Sequence, residues 1–194
     1  MGKLKIKKPT KPTKKAVIKK STPKAKTIES LYIKINATVK ELSTQKDAHI
    51  KIAHFLKNIK YDNPTNIVQM LEKNHINLNS IVEALKIINI HPTSITGALL
   101  RSKSADIANI VECLKNNGFN HISVAEGLKV QSNLNDKGIA RYLNLGGYSY
   151  QQIIDALYKN HYSFKDIRES LEHINYPKNK VDALINVYKE KNNL

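Results

Sequence analysis

Ser149-Tyr150-Gln151-Gln152-Ile153-Ile154-Asp155-Ala156-Leu157-Tyr158-Lys159-Asn160-His161-Tyr162 runs straight into Ser163-Phe164-Lys165-Asp166-Ile167-Arg168-Glu169-Ser170-Leu171-Glu172-His173-Ile174-Asn175-Tyr176. The second stretch of fourteen residues repeats the chemistry of the first at matching offsets. Taking Ile153 and Ile167 as position 0, a Ser stands at −4, a small residue at +3, Leu at +4 and Tyr at +9. The pattern extends backwards through Ile139…Leu143, Val124…Leu128, Ile110…Leu114, Ile95…Leu99, Ile81…Leu85, Ile67…Leu71 and Ile52…Leu56, and forwards to Val181…Ile185. The ten starts are 14 or 15 residues apart, and Leu fills nine of the ten +4 positions although the chain has only 18 Leu in 194 residues. Chance does not give that spacing, so the body is a tandem repeat.

The columns give the period a physical reason. Position −4 holds Asn63, Asn77, His91, Asp106, Asn120, Asn135, Ser149 and Ser163. All but His91 are good N-caps, whose side chains accept from the free N–H groups of a first helical turn. Pro64 and Pro92 follow directly, where proline is tolerated at N1. Position +8 holds His75, Asn89, Gly118, Gly147, His161 and Asn175, residues that accept the left-handed backbone ending a helix. Position +9 is apolar in Tyr61, Ile76, Ile90, Phe119, Tyr148, Tyr162 and Tyr176, the contact expected of a Schellman ending. Each unit therefore encodes one helix of about eleven residues, with 0, +3, +4 and +7 on its inner side. Small residues at +3 (Ala84, Ala98, Cys113, Gly127, Ala156, Ser170) would let neighbours approach closely.

Helices this short are not stable alone and must stack. The expected fold class is all-α, a superhelical, α-solenoid-like stack of ~14-residue single-helix repeats over 48–194. Thr27 can cap a longer helix over 28–43, with Ile28, Leu31, Tyr32, Ile35, Val39 and Leu42 at helical spacing, covering one end of the stack. The units starting at Ile95 and Val124 depart from the pattern: Lys103 and Ser104 replace the turn residues of one, and Ser132 and Asn133 those of the other.

The formal charge of +16 is unevenly spread. Residues 1–27 hold Lys3, Lys5, Lys7, Lys8, Lys11, Lys14, Lys15, Lys19, Lys20, Lys24 and Lys26, no acid and no aromatic residue. With Pro9, Pro12 and Pro23 and so little apolar surface, this arm is expected to be disordered when free. A flexible polycation without amphipathic character favours nucleic-acid phosphates over a membrane. Most of eleven Lys engaging duplex DNA would give a log K against log salt slope of roughly −8 to −10. In composition the arm resembles the Lys/Pro/Ala/Thr tails of linker histones and histone-like bacterial proteins, closest at Thr22-Pro23-Lys24-Ala25-Lys26. The alternatives are a solubilising arm, a nuclear-import signal or an arm for RNA or anionic lipid.

Within the body, Lys57, Lys73, Lys86, Lys115, Lys129 and Lys159 fall at +5 or +6, near helix C-termini, where cations favour the dipole. In a regular stack they also form a candidate phosphate stripe. The recurring Tyr148, Tyr162 and Tyr176 read either as a base-stacking ladder or as plugs between helices. The plug reading is preferred because Ile76 and Ile90 share their column. Arg101, Arg141 and Arg168 read as solvated surface residues. No His-Glu-x-x-His, Gly-rich phosphate loop or paired Cys occurs. The histidines at turns and caps need no metal, and Cys113 reads as a packing thiol. The expectation is a non-enzyme without metal or cofactor.

Gly147-Tyr148-Ser149-Tyr150-Gln151-Gln152-Ile153 and Tyr162-Ser163-Phe164-Lys165-Asp166-Ile167 are similar to the first-helix opening of TAL-effector-like DNA-binding repeats. Those repeats are about twice as long and read bases from a fixed loop. No matching loop pair occurs here, so no residue role carries over.

The functional expectation is nucleic-acid binding, DNA before RNA, by an arm on a helical body that positions it or holds a protein partner. The competing expectations are a protein-interaction scaffold with a basic targeting arm, and a phage or viral structural protein whose arm faces packaged nucleic acid. No apolar run spans a bilayer and no signal-peptide pattern opens the chain. The expected location is intracellular: cytoplasmic or nucleoid-associated, or nuclear in a eukaryotic host.

Overall fold

Asn63 turns its side-chain oxygen onto the Asn66 N–H, and Asn77, Asp106, Asn120, Asn135, Ser149 and Ser163 do the same three residues ahead. Each bond satisfies one of the donors a helix leaves free at its start. At Ser149 and Ser163 the N3 side chain, Gln152 or Asp166, bonds back to complete a capping box. The computed structural model describes residues 23–102 and 105–194, with side chains from residue 30 onward. Among them all regular structure is helical: α1 (Pro23–Leu42), α2 (Ala48–Asn58), α3 (Pro64–Lys73), α4 (Leu78–Ile87), α5 (Pro92–Ser102), α6 (Ile107–Asn116), α7 (His121–Ser132), α8 (Asp136–Leu145), α9 (Tyr150–Lys159), α10 (Phe164–His173) and α11 (Lys178–Lys191).

The helix ends form as the columns require. His75, Asn89, Gly118, Gly147, His161 and Asn175 all have φ between 60° and 82°. From Tyr61, Ile76, Ile90, Phe119, Tyr148, Tyr162 and Tyr176 the +9 N–H donates to the +4 Leu carbonyl at 2.9–3.1 Å. The +8 N–H donates to the +5 carbonyl, as His75 does to Glu72. These two bonds define the Schellman motif. In α7 the left-handed residue is Asn133, one place late, so that helix runs two residues longer than α6 or α8. The turn residues Lys103 and Ser104 lie outside the described residues.

Two boundaries differ from expectation. The first helix begins at Pro23, not after Thr27, because proline at the start of a helix gives up no hydrogen bond. The chain divides into two units, 1–35 and 36–194, and the division falls inside α1. Of the arm expected to be disordered over 1–27, residues 1–22 lie outside the described residues and 23–27 fall in α1.

Within residues 36–194 the helices pack in a regular alternation. α2, α4, α6, α8 and α10 contact one another in order, and so do α3, α5, α7, α9 and α11. Sequence neighbours also touch, from α5·α6 through α10·α11. The unit is thus one helix in sequence, but the stacking stride is two helices, 28 or 29 residues. All nine +4 leucines are completely buried, each contributing about 1.5–3 kcal/mol of transfer free energy. The inner face includes one column more than expected. Position +1, occupied by Ala53, Val68, Val82, Thr96, Val111, Ala125, Ala140 and Ile154, is fully buried as well. A helix flanked by its own series and by the other needs a wider apolar face than one lying on a surface. Gly127 marks a close approach of two odd-series helices: a Cβ there would lie 2.6 Å from Cβ of Thr96 on α5. No helix among the described residues is long and apolar enough to cross a membrane.

Candidate nucleic-acid interface

A helix leaves four carbonyls unpaired at its end and carries partial negative charge there. The Schellman bonds use those at +4 and +5. The lysines at +5 take up later ones, on the helix two along. Lys57 on α2 donates to Ile87 O (3.3 Å) and Lys86 on α4 to Asn117 O (2.7 Å). Lys115 on α6 donates to Gly147 O, and Lys129 on α7 to Asn160 O (2.7 Å). Three of these ammonium groups also lie over the +9 ring beside their acceptor. Lys86 is 5.8 Å from the Phe119 centroid, Lys115 is 5.8 Å from that of Tyr148 and Lys129 is 4.7 Å from that of Tyr162. Each lysine clasps the end of a neighbouring helix.

The proposed stripe therefore divides. Lys57, Lys86 and Lys115 belong to the even series, and Lys73, Lys129 and Lys159 to the odd. Lys73 and Lys159, at +6, are exposed and make no such clasp among the described residues. Of the arm lysines, Lys3, Lys5, Lys7, Lys8, Lys11, Lys14, Lys15, Lys19 and Lys20 lie outside the described residues, while Lys24 and Lys26 fall in the opening turns of α1. Two of the three arginines read as solvated have protein partners. The Arg101 guanidinium donates to Thr65 Oγ1 (3.0 Å) on α3 and to Gln131 Oε1 on α7. Arg168 pairs with Asp182.

The tyrosines act as plugs. Tyr148 is 4% exposed and its hydroxyl donates to Phe119 O at 2.9 Å. Burial pushes its pKa up to about 12. Burial likewise raises the Tyr162 hydroxyl and the Cys113 thiol, which is a buried free cysteine beside Asn117 and Asn79.

Two recurring features are absent from the sequence reading. One is a row of acids at +2 that accept from −3 or −2 of the helix two back. Glu83 meets His49 (3.0 Å), Glu126 meets Thr93 (2.9 Å), Asp155 meets His121 (2.7 Å) and Glu169 meets Lys137 (3.0 Å). The other is asparagine at +7. Asn74, Asn117 and Asn160 each donate a side-chain N–H to the +3 carbonyl, and Asn160, 6% exposed, also reaches Ile122 O. Both columns are visible in the alignment of units; the partners of the acids are not, because they lie more than 30 residues away.

Asp155 is the most elaborated acid. Its Oδ2 accepts from His121 Nε2 and its Oδ1 from the Tyr188 hydroxyl at 2.8 Å. Burial alone would raise its pKa, but the His121 and Tyr188 bonds outweigh that and hold it below the usual carboxylate value. Burial and the adjacent Asp155 charge push the Tyr188 hydroxyl well up. The three line a cleft of about 320 Å³ with Gln151, Gln152, Val187, Lys191 and Asn192. Among the described residues no three His, Cys, Asp or Glu come together as metal ligands. No protein-family model matches the chain, and no curated protein matches it.

Proposed function

We propose that the chain is a non-enzymatic nucleic-acid-binding protein, with DNA preferred to RNA. The lysine-rich arm supplies phosphate contacts and the helical body positions it. The observation that carries this reading is the acid-free run of eleven lysines in residues 1–27. Each lysine that neutralises a phosphate releases a counterion, so such a run gives strong, salt-dependent and sequence-tolerant affinity. The clasps bear on the division of labour. Four of the six body lysines already hold helix ends, which suits a body that orients rather than grips.

The same observation favours a second reading, in which the body is a docking platform for a protein partner and the arm is a targeting element. A phage or viral structural role, with the arm on packaged nucleic acid, is a variant of the first. The test is fluorescence anisotropy with duplex DNA and with RNA across a salt series. It compares the full chain with a variant carrying Gln at the nine lysines from 3 to 20. The full chain should give a slope near −8, and the variant should lose most of it. Equal binding by both would end the arm's assigned role. Absence of binding to either nucleic acid at low salt would end the nucleic-acid reading and leave the platform.

A further inference from the structure

We infer that the cleft between α7, α9 and α11 receives one unpaired nucleobase, with the adjoining phosphate at Lys191. This rests on the nucleic-acid reading above and adds a site to it. The volume of about 320 Å³ lies at the small end of ligand clefts, which run from about 300 to 1,000 Å³. It therefore fits a compact planar group rather than an extended chain. The floor is the Asp155 carboxylate, with each oxygen taken by a protein donor. It thus has little call for a cation and is fixed in place.

The rim presents a set pattern of hydrogen-bonding groups. Gln152 spends its Oε1 on the Ser149 N–H at 2.9 Å, so its NH2 remains to donate. Asn192 spends its Nδ2 on Tyr188 O at 2.8 Å, so its Oδ1 remains to accept. Gln151 is exposed and offers both. A donor and an acceptor supplied by amides suit the polar edge of a nucleobase, which carries both kinds of group. Val187, 57% exposed, gives an apolar wall for the face of the base, beside the Tyr188 and His121 rings. Lys191 is an exposed cation on the same wall, in reach of a phosphate. A paired base keeps its faces in the stack, so the ligand is a single-stranded or extruded nucleotide.

The test uses the full chain and two decanucleotides of equal charge, oligodeoxyadenylate and its abasic analogue, compared by anisotropy at fixed salt. The cleft predicts at least fivefold tighter binding of the oligomer that carries bases. Val187→Glu, at an exposed position, should erase that preference and leave the duplex salt slope unchanged. Gln151→Ala, which touches no folding contact given above, should reduce it severalfold and serves if Val187→Glu fails to fold. Equal binding of the two oligomers would overturn the cleft while the nucleic-acid reading stands. A preference that survives both substitutions would overturn it too. Binding of neither oligomer nor duplex would overturn both.

Discussion

The α5–α7 contact and the α9–α11 contact hold the same place in the odd series, yet one is sealed and the other open. Between α5 and α7 the backbones close until Gly127 leaves no room beside Thr96. Arg101 then pins α5 to α3 and to α7 at once. In α11 the column of Gly127 carries Leu184, which is only half-buried, and the link to α9 is the long Tyr188 side chain reaching Asp155. The same stacking relation thus accommodates a backbone-close contact at one place and a cleft bridged by a long side chain at another. The repeat itself is unchanged in either case.

The largest expected effect breaks the sealed contact. Gly127→Ala should cost about 1–3 kcal/mol, because the new Cβ meets the rigid Cβ of Thr96. Gly97→Ala, whose Cβ would displace the Gln131 side chain and with it only an exposed Arg101 hydrogen bond, should cost less, within about 1 kcal/mol. Urea unfolding of the two variants measures the difference, and equal losses would refute the assignment of the tight point. Next, Lys115→Met removes a clasp and its ring contact and should cost about 1 kcal/mol. Lys73→Met, without a clasp, should stay within about 0.5 kcal/mol in the same assay.

The smallest effect sharpens the open contact. Asp155 has a folded pKa below its ordinary value, so it contributes stability above about pH 4 that is lost as pH falls through the folded value. Asp155→Asn should therefore flatten the acid limb of the stability curve below about pH 4. An unchanged acid limb would assign that limb to other carboxylates.

Local chemistry was legible in the sequence to the residue. Asn63, Asn77 and Ser149 cap, and His75, Asn89 and His161 turn left-handed, because each role is decided within five residues of chain. The stride of two was not legible. A 14-residue period is the same whether a helix stacks on the next or on the one after, and only the helix-to-helix contacts distinguish them. The body lysines are legible as cations at helix ends, but the carbonyls they meet are not, since the one that Lys86 meets lies 31 residues on. The cleft was invisible for a similar reason. His121, Asp155 and Tyr188 occupy three units, and their convergence depends on that stride.

The alternation also constrains how such a chain can lengthen or shorten. Deleting or duplicating α7 would transfer every later helix to the opposite file and part Lys115 on α6 from Gly147 after α8. Deleting or duplicating two together keeps every later helix in its own file. Helix number in proteins built on this plan should therefore change by even steps, and an odd step would register as misfolding.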